Sequence, residues 1–190
     1  MASDTDLKTK LNELNDTVND LEEKGPSTEL MVAYVDRAFI LFRIGYSTSA
    51  LEDLLSASEM FDSFIPSHNT LMKYAAIKGL IDYIQDGDGR EDFDLMVKQL
   101  DNADLSKYDL HQMIETTVDV VDILLVADYL DIAYQVGLKA VDYLEKYKNP
   151  WTVNNRVELL YLLGAISQLN DDNRQAIRYF TEGIEIALDS

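Results

Sequence analysis

Two histidines, one cluster of aspartates and a general excess of acids are the residues in this chain whose types could do chemistry. His68 and His111 lie far apart, and neither has a Cys or a second His at a spacing that would build a ligand face on one helix. Neither has a Glu three residues before it, so the Glu-x-x-His arrangement of di-metal bundles is missing. Both read as surface residues. Asp86, Asp88, Asp92 and Asp94 crowd into the segment DGDGREDFD and invite comparison with a calcium loop. Counted from Asp86, the places where an EF-hand needs an oxygen donor, a glycine and a bidentate Glu hold Arg90, Glu91 and Val97. The segment therefore reads as a solvated loop whose acids favour the start of the following helix.

Nucleophiles are no better supplied. The chain has no Cys, which removes thiolate ligands, disulfides and cysteine nucleophiles. The phosphate-binding patterns GxGxxG and GxxxxGK and the nucleophile pattern GxSxG do not occur. With 35 acidic residues, carboxylate pairs arise by chance and carry no specificity. The sequence reads as that of a protein without catalytic residues, metal or cofactor.

The same acids bear on partners. Against 16 basic residues they leave a formal charge of −19, spread along the chain. Such a field repels phosphate backbones and anionic lipid, so neither nucleic acid nor membrane is expected, while a basic protein or peptide is favoured. The opening MASDTDLKTK lacks an apolar signal core, and no run approaches the roughly 18 apolar residues of a membrane span. The expected location is the cytoplasm.

The elements that would carry any binding residues are helical. Apolar residues recur at three and four, as in Leu30, Tyr34, Ala38 and Leu41, or Leu159, Leu163, Ile166 and Leu169, and no stretch sustains a period of two. Nine helices are expected, over about 4–24, 28–44, 47–62, 68–85, 90–102, 107–126, 129–147, 151–169 and 173–188. Short polar links join them, giving the rhythm of stacked antiparallel hairpins. In the first helix, Leu7, Leu11, Leu14, Val18 and Leu21 alternate at four and three, an a/d seam. Segment 1–25 is thus either a cap on the first hairpin or a dimerisation helix.

Sliding the remainder against itself reveals a repeat. Ala38, Gly79, Val121 and Gly164 align at intervals of 41, 42 and 43 residues. Twelve positions on come Ala50, Glu91, Ala133 and Ala176, and seven beyond those Ala57, Lys98, Ala140 and Gly183. Small residues at a crossing let two helix axes approach, and larger neighbours fill the space around them. Pro26, Pro66 and Pro150 keep nearly the same phase, as suits the first turn of a helix, with Ser106 as the corresponding cap in the third repeat. The second repeat departs from the rule, since Glu91 and Lys98 stand where small residues belong.

Tyr34, Ala38, Leu41, Gly45, Ala50, Leu54 and Ala57 in the first repeat, with Leu163, Gly164, Ala176, Phe180 and Gly183 in the last, resemble the tetratricopeptide-repeat pattern. The resemblance implies an all-α stack of antiparallel helical hairpins, a single domain over 26–190 with repeats at 26–65, 66–104, 105–148 and 149–190. The family's unit is about 34 residues, so these helices or their connections are longer. The resemblance further implies a protein- or peptide-binding scaffold whose first helices line a groove. Carried onto this chain, the groove positions are Phe39, Arg43, Lys73, Tyr83, Asp122, Tyr161 and Gln168. Self-association through the first helix or an end repeat, giving a homodimer, is the alternative.

Overall fold

The structure, a computed structural model, describes residues 4–102, 107–146 and 153–189. These form nine α-helices and, among the described residues, no strand: α1 (Asp4–Glu22), α2 (Thr28–Arg43), α3 (Ser47–Ser58), α4 (His68–Asp86), α5 (Arg90–Asn102), α6 (Lys107–Val126), α7 (Leu130–Lys146), α8 (Val153–Leu169) and α9 (Asn173–Asp189). The protein is all-α. It divides into two compact units, residues 1–99 and 100–190.

Backbone chemistry sets the helix ends. Ser27 and Ser67 cap α2 and α4, their hydroxyls accepting from the amides of Leu30 and Thr70 at 3.1 Å each. Pro26 and Pro66 therefore lie outside the helices and not in their first turns. An extended serine whose oxygen captures an orphan amide begins each helix, and the proline only fixes the approach. Pro150 and Ser106 fall outside the described residues.

At its other end α2 closes in a Schellman turn. The Gly45 amide reaches the Phe42 carbonyl at 3.0 Å and the Tyr46 amide reaches Leu41 at 2.9 Å, with Gly45 at φ +89°. The same pair of bonds ends α6, from Asp128 to Leu125 and Tyr129 to Leu124, and ends α8, from Asp171 to Gln168 and Asp172 to Ser167. Asp128 and Asp171 take the left-handed backbone that Gly45 takes, which aspartate tolerates better than most side chains. All three turns stand seven residues after the aligned small position, so the repeat is written in the backbone as well as in the sequence.

The next helix then starts in phase. The amides of Ala50, Ala133 and Ala176 bond the carbonyls of Tyr46, Tyr129 and Asp172. In the second repeat the residue making that bond is Phe93, to Gly89. The connection from α4 is two residues longer, which corrects the alignment on Glu91 and Lys98. Both are exposed, while Phe93 and Met96 are buried. The longer loop brings Gly89 against Gly79, where an added Cβ would come within 2.0 Å of the Gly79 carbonyl oxygen.

Small residues at the crossings prove to be half of a matched pair. A Cβ on Gly164 would lie 2.5 Å from the Phe180 ring, and one on Gly137 would lie 2.9 Å from Leu163, with Val121 further off at 3.8 Å. Gly164 and Val121 are equivalent first-helix positions, and Phe180 and Gly137 equivalent second-helix positions. In both cases a glycine on one helix makes room for a large residue of another, Phe180 or Leu163.

In the first unit, α2 packs on α1, α3 and α4, and α3 also touches α4. Its core holds Val18, Leu30, Met31, Ala33, Tyr34, Val35 and Ala57, ringed by Leu21, Met60, Phe61, Phe64 and Tyr74. The α3 helix stops at Ser58, four residues short of the expected end. Met60, Phe61 and Phe64 then follow tight turns down onto this core, and the ring of Phe61 meets Tyr74 edge-on at 5.0 Å. In the second unit, α6 packs on α7 and α8, α7 on α8, and α8 on α9. Leu160, Leu163 and Tyr179 are buried there against Tyr134, Val141 and Ile186. In each unit, then, the first helix of one hairpin also touches the first helix of the next.

Candidate binding surface

The α2/α4 pair brings together two of the four groove residues expected in the first unit, Phe39 and Lys73. Phe39 is buried at 4% exposure and belongs to the core. Lys73 lies over it, its Nζ 5.9 Å from the ring centroid, and also 2.7 Å from Asp36 Oδ1. Lys73 is therefore an ion-paired cation. Nothing in the sequence signals a partner 37 residues away. Arg43 is half-buried in the last turn of α2, where a cation suits the helix dipole. Tyr83, near the end of α4, is exposed at 44%.

In the second unit Asp122 is half-buried on α6, and Gln168 is exposed in the last turn of α8. Tyr161 is exposed at 60%, its ring tilted against Phe180 at 5.8 Å. Gly164, one turn along α8, leaves the space Phe180 occupies. Tyr161 is thus placed by α9 as much as by its own helix.

Around these surfaces runs polar stitching that sequence reasoning missed. Arg37 grips the buried Asp53 through two bonds of 2.7 Å, tying α2 to α3, and reaches Asn15 on α1 at 3.5 Å. The hydrogen bonds and charge of Asp53 hold the guanidinium firmly protonated against its burial. Tyr34 donates to Glu22 at 2.6 Å, and burial, with that carboxylate beside it, pushes the phenol up to about 12. At the other end Tyr134 and Tyr179 share a hydrogen bond of 2.9 Å, and burial followed by this contact raises Tyr134 to about 12. Arg156 on α8 bridges Glu145 on α7 and Glu182 on α9, at 3.1 and 2.8 Å.

The residues first considered for chemistry are also placed. The His68 Nδ1 atom lies 2.8 Å from Oε1 of the buried Gln99, joining the start of α4 to α5; with an oxygen opposite, that nitrogen carries the hydrogen. The histidine read as a plain surface residue thus has a structural contact. The His111 side chain lies outside the described residues. Asp88 accepts from the Arg90 amide at 3.0 Å, as a loop acid at a helix start does. Asp92 turns back toward α4, where Lys78 pairs with Asp82. Burial raises the Asp92 carboxyl, and Lys78 offsets that rise in part. Among the described residues no three His, Cys, Asp or Glu side chains are grouped to hold a metal ion. No described helix is long and apolar enough to cross a membrane.

Comparison with protein-family models, with curated proteins and with solved structures returned no match.

Proposed function

We propose that this protein is a non-catalytic binding scaffold, built from tetratricopeptide-like hairpins, that takes a protein or peptide on the faces of its first helices. The supporting observation is the shared turn. Three hairpins close with the same Schellman bonds at the same phase, and α2 touches α4 as α6 touches α8. First helices laid side by side within a unit offer a continuous face to a partner.

Tyr83 in the first unit and Tyr161 and Gln168 in the second are the exposed groove candidates on these helices. Exposed tyrosines bury a large area at little entropic cost and often dominate such interfaces. The charge of −19 selects for a partner with basic side chains and speeds its encounter.

Affinity capture from native cells, with the wild type and a Tyr83→Ala/Tyr161→Ala variant as parallel baits, tests the reading. The expected result is a polypeptide held by the wild type and lost by the variant, with thermal melting within a few degrees. Equal capture by both baits, or a specific polypeptide from neither, contradicts it.

A further inference from the structure

The last helix carries a second apolar face that nothing in its own unit covers. Toward α8, α9 buries Ala176, Tyr179 and Gly183. Away from it, Ile177, Ile184 and Leu188 are exposed at 66%, 60% and 80%. At 3.6 residues per turn these three fall within about 40° of arc, one above another. Phe180 and the exposed Tyr161 ring widen the strip on one side. An ordinary surface helix shows a single apolar stripe, so this one has a stripe to spare.

The flank on the other side identifies what fits. Arg174, Arg178, Glu185 and Asp189 follow one another there, all exposed, two cations before two anions. Antiparallel pairing across a two-fold axis sets each helix flank against its own copy. Reversed about a centre between residues 181 and 182, Arg178 meets Glu185 and Arg174 meets Asp189 at the same register. That register also lays the Ile177, Ile184 and Leu188 strip along its copy, with the small Thr181 near the axis. One centre serves both charge pairs and the apolar strip, so the surface is complementary to itself.

We propose that a second copy of this chain docks here, as an antiparallel α9–α9 pair across a two-fold axis. The seam runs along α9, a second helix, and meets the scaffold face proposed above only at its border, where Tyr161 lies against Phe180. A single helix seam is smaller than the ~800 Å² per partner of a standard interface, which sets the dimer in the micromolar range or weaker.

Sedimentation equilibrium of the full chain, from about 1 μM to about 1 mM, tests this. The wild type is expected to pass from monomer to dimer, and Ile184→Asp to remain monomeric. Each of Arg178→Glu and Glu185→Arg places like charges opposite at two symmetric contacts and is expected to weaken the dimer by about tenfold or more. The double variant Arg178→Glu/Glu185→Arg exchanges the signs and is expected to return to within about threefold of the wild type. All substituted residues are exposed, and unchanged melting of each variant confirms that it folds. A wild type that stays monomeric to about 1 mM assigns the strip to a different occupant and overturns the proposal. So does a dimer indifferent to all three single changes, which runs through another surface, or a double variant as weak as the singles.

Discussion

The two end helices, α1 and α9, are both amphipathic and yet are used differently. The seam of α1 is taken up within the chain: Val18 is fully buried in the first unit's core with Leu21 packed against it, and Leu7 is buried as well. The α9 helix spends its small residues on α8 and keeps Ile177, Ile184 and Leu188 outside. An apolar period in a sequence says that a face will be covered, but the partner is chosen by what else the helix packs. One face and one neighbour make a cap; two faces leave one over.

Exchanging the same substitution between the two ends should break this contrast most sharply. Val18→Asp puts a carboxylate into a sealed apolar site and is expected to cost about 3–5 kcal/mol, read as a large fall in the urea midpoint. At α9, Ile184→Asp should leave the midpoint within about 0.5 kcal/mol, because the side chain is exposed. Equal losses at both positions would erase the distinction.

The seat of α9 is next in size. Gly164→Ala drives a methyl into the Phe180 ring and is expected to cost about 1–3 kcal/mol. Trimming Phe180 to Leu in the same chain should recover part of it, and no recovery would mean that the pair is not matched by volume.

Smaller effects come from the polar fastenings at each end, Tyr34 with Glu22 and Tyr134 with Tyr179. Both Tyr34 and Tyr134 are raised from 10.0 to about 12 in the fold. A group whose folded pKa lies above its unfolded value contributes stability that is whole below pH 10 and is lost as pH rises toward about 12. Denaturant midpoints from about pH 9 to 12 should fall, and either Tyr→Phe variant should flatten the fall by its own share. An unchanged slope in Tyr34→Phe would detach α1 from this account.

Much of the fold was legible because it is local. Helix spans follow the spacing of apolar residues and their polar links, and most ends agree to within two residues. The turn after α2 was readable from Gly45, but its counterparts at Asp128 and Asp171 were hidden, since aspartate marks the left-handed position far less plainly than glycine. The second repeat misled through a loop two residues longer. A fixed interval then put Glu91 where the structure aligns Phe93. The rule of small residues was incomplete for a physical reason: a glycine answers the residue packed across from it, Phe180 for Gly164 and Leu163 for Gly137, and a sequence shows the two apart. The candidate surface was the least legible part. Lys73 is paired by Asp36 from another helix, and Tyr161 owes its setting to Phe180, contacts that exist only once helices pack.

The chain has no cysteine of its own, so a single introduced thiol reports on one site alone. The most direct test of the contrast between the ends is maleimide labelling of Val18→Cys and Ile184→Cys across a protein concentration series. The thiol of the Val18→Cys variant is expected to stay protected until denaturant unfolds the first unit. The thiol of Ile184→Cys, by contrast, labels at once in dilute protein and becomes protected as concentration rises. Comparable labelling of both variants in native dilute protein, or an Ile184→Cys labelling rate independent of concentration, would contradict it.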